Sequence, residues 1–163
     1  MRRVWLTLSL MYLGASAAPA QTMVSGGGHC AKAETEHQLD VGDRPQHTFS
    51  ISRFKCTWTK PFEIAGTQSK GGTAVQFDEV SAKGSKFRGY FLDTMANGDS
   101  VQFRYEGTAT LTQGKPPATE WKWTLGHGTG KLKRVKGKGT CRGTANPDGS
   151  GTWECEGEYR LGK

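Results

Sequence analysis

The spacing of glycine and proline limits this chain more than any other feature. From Pro61 onward the longest run free of both residues is Thr73 to Lys83, and 23 glycines are spread over the 163 residues. A helix of ordinary length has almost nowhere to form, because an interior glycine costs about 1 kcal/mol relative to alanine and a proline about 3. Short strands punctuated by turns are what remains. Only 34% of the residues are hydrophobic, but counting the glycines brings the total near half, the ordinary share for a globular domain. The chain is expected to fold.

Alternation supports strands directly. Val101, Phe103 and Tyr105 share one face against Gln102, Arg104 and Glu106. Trp121, Trp123 and Leu125 oppose Glu120, Lys122 and Thr124, and Phe87, Gly89, Phe91 and Asp93 oppose Lys86, Arg88, Tyr90 and Leu92. Each set reads as a half-buried antiparallel strand. Asn97-Gly98-Asp99 and Pro147-Asp148-Gly149 carry turn chemistry, and a recurring Gly-Thr pair reads as hairpin punctuation. The expected fold is all-β, with seven or eight strands in a closed antiparallel up-and-down barrel or a sandwich. Cys30 to Val41 reads equally as a short helix or a ragged strand.

At the N-terminus, Arg2 and Arg3 precede an uncharged, largely apolar stretch from Val4 to Ala18 and the small-residue site Ala18-Pro19-Ala20. This is a secretory signal peptide over residues 1–20, leaving 21–163 as a single domain routed to the periplasm or the exterior. The stretch is short for a bilayer span and none follows it, so no transmembrane segment is expected. Loss of two arginines would lower the formal charge from +7 to +5. In an oxidising compartment four cysteines imply two disulfides. Cys141 and Cys155 are equidistant from Asp148, and Cys30 and Cys56 from Asp43 in Gly42-Asp43-Arg44-Pro45. Hairpins centred there predict Cys141–Cys155 and Cys30–Cys56. The first register also sets Glu154 opposite Arg142, Glu158 opposite Lys138, and Trp153 and Tyr159 over Gly143 and Gly137.

The remaining chemistry is sparse. Lys131, Lys133, Arg134 and Lys136 are left uncompensated by that ladder and could meet an anionic envelope surface. The plainer reading is a solvated basic strand, and a secreted chain gives no reason to expect nucleic acid. His29, His37, His47 and His127 lack metal-ligand spacing and read as surface or turn residues, so no metal and no cofactor are expected. Gly26-Gly27-Gly28 reads as a flexible start to the mature chain. Asp93 lies on an apolar face, and Glu79 shares parity with Val75 and Phe77. Either acid could transfer a proton from a pocket, though a wetted strand end explains both. No nucleophile elbow or Ser/His/Asp order occurs, and catalysis is not assigned.

The stretch Leu125 to Gly143, with Gly128, Thr129, Gly130, Lys131 and Leu132 at a turn and Gly137 beyond it, resembles the glycine-rich segment of the allene oxide cyclase and dirigent-like barrels. It is also similar to small calycin-type barrels of secreted bacterial proteins. The resemblance implies an eight-stranded antiparallel barrel with a hydrophobic cavity, often a homotrimer, and it transfers no catalytic set to positions here. With 5 Trp, 4 Tyr and 7 Phe in the chain, the first expectation is a barrel that binds a small apolar ligand among Phe87, Phe91, Phe103, Tyr105, Trp121 and Trp123. The alternatives are a cavity isomerase or cyclase using Glu79 or Asp93, and a basic module on an anionic surface.

Overall fold

The computed structural model describes residues 21–162. The signal-peptide assignment therefore lies outside the described residues. The strands are β1 (Thr22–Cys30), β2 (Thr35–Asp40), β3 (Thr48–Lys60), β4 (Glu63–Ile64), β5 (Thr67–Ser81), β6 (Gly84–Met95), β7 (Ser100–Thr110), β8 (Ala118–Gly128), β9 (Lys136–Ala145) and β10 (Gly151–Arg160). A single 3-10 turn, Gly130–Leu132, is the only helical element among the described residues. No helix there is long and apolar enough to cross a membrane.

Eight of these strands are staves of a closed antiparallel barrel. They run β3-β1-β10-β9-β8-β7-β6-β5, and β5 pairs back onto β3. Closure gives each of the eight staves a partner on both sides. The two further strands lie at opposite ends: β2 runs along β3 beyond the end of β1, and β4 pairs with the start of β5. The stretch from Cys30 to Val41 is thus a broken strand rather than a helix. Two disulfides, Cys30–Cys56 and Cys141–Cys155, join directly paired residues. Together with the lack of a membrane-crossing helix, they are compatible with a secreted protein.

The C-terminal hairpin has the register expected from its cysteines, with Glu154 facing Arg142, Glu158 facing Lys138 and Trp153 facing Gly143. Its side chains depart from the simple ladder. Lys138 does pair with Glu158 at 3.6 Å, but Arg142 turns to Glu120 of β8 at 3.5 Å. Trp153 packs over Gly28 of β1, Trp123 over Gly139 and Gly157, and Leu125 over Gly137. The Tyr159 hydroxyl accepts a hydrogen bond from the Ala65 amide at 3.1 Å. Side chains on a curved wall lean toward a lateral neighbour, and glycine is where a ring can lie flat on the backbone. The same packing corrects the reading of Gly26-Gly27-Gly28. They are buried in the middle of β1, and Gly26 lies under Trp58 and Phe62.

One end of the barrel is filled. Phe62, Ile64, Met95, Val101, Leu132 and Val135 are all at most 1% exposed there, supplied by the connection after β3, by β4, by the adjoining ends of β6 and β7, and by the 3-10 turn with the residues that follow it. Phe62 sits 4.5 Å from Trp58 and 5.7 Å from Trp123, centroid to centroid. The opposite end, toward the 81–84, 111–117 and 146–150 connections, stays open.

Candidate ligand cavity

The open end leads into a cavity of about 340 Å³ inside the barrel. Alternation builds it, because on each stave every second side chain points inward. Trp58, Phe91, Phe103 and Trp123 form its floor. Phe103 lies 5.8 Å from Phe91 and 5.5 Å from Trp123. Higher on the wall, Phe87 meets Tyr105 and Trp121 edge-on at 6.3 and 6.1 Å. Trp153 stands perpendicular to Trp58 at 4.5 Å. Such tilted pairs contribute about 0.5–1.5 kcal/mol beyond their burial and stiffen the wall. All four cysteines line the space, so both disulfides staple the cavity itself.

The six aromatic residues proposed from sequence, Phe87, Phe91, Phe103, Tyr105, Trp121 and Trp123, all line this cavity. The two acids proposed alongside them do not. Glu79 faces outward and bonds to His47 at 3.3 Å. Asp93 lies beyond the floor with no solvent exposure. Its Oδ2 accepts from Trp58 Nε1 and its Oδ1 from the Gly71 amide, both at 3.0 Å. Burial pushes its carboxyl up to about 6 despite those bonds. Gly71 sits at a register shift in β5 with φ 135°, where a Cβ would run into the Cys56 carbonyl. Only glycine brings the amide to the carboxylate there.

Sequence parity misjudged β5. Val75 and Phe77 mark its outer face, Phe77 stacking on Phe49 at 5.4 Å beneath Arg88 at 5.2 Å. The inner face is the polar one. The signal that finds it is cross-strand register: Asp78 lies opposite Phe87 and Ala74 opposite Phe91, and directly paired residues share a face. Gln76 and Asp78 therefore enter the cavity. Gln76 Nε2 donates to both Asp78 carboxylate oxygens at 3.0 and 3.1 Å, and its Oε1 accepts from the Tyr105 hydroxyl at 3.2 Å. Burial raises the Asp78 carboxyl above its ordinary range, with Gln76 opposing and Glu36 adding to the rise. Burial likewise holds the Tyr105 hydroxyl protonated well beyond its usual range. Trp123 Nε1 is buried with no acceptor among the described residues.

The basic residues Lys131, Lys133, Arg134 and Lys136 are exposed at the filled end, far from the mouth. Most of them belong to the 3-10 turn and the connection after it rather than to a strand. His47 is buried at the start of β3 and reaches both Asp43 and Glu79, whereas His29, His37 and His127 are exposed.

These features define a one-ended, disulfide-stapled eight-stranded barrel with an aromatic cavity. No family model matches the sequence, and no curated protein matches it. Among solved structures, the pterocarpan synthase dirigent protein GePTS1 is similar to this chain with a TM-score of 0.47 and 9% identity, covering 95% of this chain and 100% of that one.

Proposed function

We propose that this protein is a secreted carrier or sensor that holds one small, largely apolar ligand inside the barrel, without chemistry of its own. The observation that supports this is the open cavity, about 340 Å³ in volume and walled by Trp and Phe side chains. Known small-molecule sites run from about 300 to about 1,000 Å³. The space thus suits a compact ligand better than a long lipid. Rings held edge-to-face keep the cavity formed before the ligand arrives, which lowers the ordering cost of binding. Proton-transfer catalysis by Glu79 or Asp93 has no geometric support, since neither carboxyl reaches the space.

Tryptophan emission is the direct readout, because Trp58, Trp121, Trp123 and Trp153 all line the cavity. Titration with terpenoids, phenolics, aralkylamines and fatty acids should give a saturable change for at least one class. A flat response to every compound would overturn the reading.

A further inference from the structure

The cavity is apolar on most of its surface, but one acid enters it. Among the described residues that line it, Asp78 carries the one carboxyl; no lysine, arginine or histidine is present. No ion pair reaches its carboxylate among the described residues. The charged neighbour that acts on it is Glu36, which has the same sign. A carboxylate in apolar surroundings without a counter-ion is costly. Instead of a cation, the fold gives it one neutral donor: the Gln76 amide, itself fixed by Tyr105, orients both carboxylate oxygens. Such an arrangement positions the group while leaving its charge uncompensated. Phe87 lies directly across from Asp78, and the rings of Tyr105, Trp121 and Trp153 line the same cavity; their π faces are negative. The cavity thus holds a carboxyl and no basic side chain, although the molecule as a whole is basic.

Resting on the binding function proposed above, we propose that the cavity selects a protonated amine, with the ammonium against Asp78 and the apolar body among the aromatic rings below. An ammonium would supply the counter-ion that the fold withholds, in a charge-assisted hydrogen bond stronger than a neutral one. The ring faces add cation–π attraction. A carboxylate ligand would meet repulsion from the same groups, so fatty acids and aromatic acids are excluded. Asp78 lies near the mouth, three residues before the end of β5 at Ser81, and the floor is purely aromatic. The ligand therefore enters tail first, and its charged end stays nearest to solvent.

Three probes with one apolar body separate charge from shape: phenylpropylamine, phenylpropanol and phenylpropionate, titrated calorimetrically into the disulfide-intact protein near neutral pH. The amine should bind at least about 10-fold more tightly than the alcohol, and the acid most weakly. Asp78→Asn should abolish the advantage of the amine over the alcohol. An alcohol that binds as well as the amine, or a variant that weakens both alike, would overturn the selectivity and leave the cavity function standing. If none of the three binds while a neutral compound still shifts tryptophan emission, the amine proposal alone falls; if nothing binds in either assay, both fall. The wild-type comparison decides the question even where the variant fails to fold.

Discussion

Asp93 carries a consequence for stability that is separate from binding. Its folded-state value of about 6 lies above the value near 3.9 of an aspartate in an unfolded chain. The native state therefore holds the proton more readily. Below the unfolded value both states are protonated and no penalty exists; as pH rises from about 4 to about 6 the unfolded chain ionises first and stability falls, by a total on the order of 3 kcal/mol. Urea unfolding followed across that window should show the decline, and Asp93→Asn should remove this group's share of it. A second comparison uses two tryptophans at the same depth. Trp58→Phe and Trp123→Phe lose similar volume, but only the first strips a donor from a buried carboxylate. Trp58→Phe should therefore be the more damaging by about 1–3 kcal/mol in denaturant midpoints converted to free energy.

At the level of elements, the β9–β10 hairpin is the most strongly determined unit, because its disulfide, turn and register agree. Replacing Cys141 and Cys155 together with alanine should cost about 3 kcal/mol, the loop-closure value for a bridge of this span, and keep the fold. Near-native far-ultraviolet dichroism with a lowered thermal midpoint is the expected result. This hairpin was also the part most legible in the sequence, since both partners of each pair lie within one short segment. Legibility ended where a third strand intervenes. Arg142 has Glu154 on one side and Glu120 on the other, and only the assembled sheet makes Glu120 its partner. The Cys30–Cys56 pairing was found from a midpoint at Asp43, yet the β2–β3 register is centred one residue later, on Arg44. The difference is absorbed at residues 31–34, between the two strands. On β5 Val75 and Phe77 line the outside, so polarity pointed away from Gln76 and Asp78, the residues that bring an acid and its amide donor into the cavity.

Over the whole molecule, closure depends on β1 meeting β10, which joins the two ends of the described chain. Pairings so distant in sequence are slow to form, and refolding with the disulfides intact should take milliseconds to seconds or longer in stopped-flow fluorescence. Deleting Gly151–Arg160 removes one stave and unpairs the edges of β1 and β9. A cooperative thermal transition should be absent from that truncated chain. The filled end has a different consequence, one of traffic. With Phe62, Leu132 and their neighbours packed across it, the barrel is a cul-de-sac, and a resident molecule must back out through the opening by which it came. A newcomer has no rear door from which to push. Displacement traces should accordingly reach a rate set by the resident alone, however concentrated the competitor; a rate that keeps climbing with competitor would reveal a second passage through the packed end.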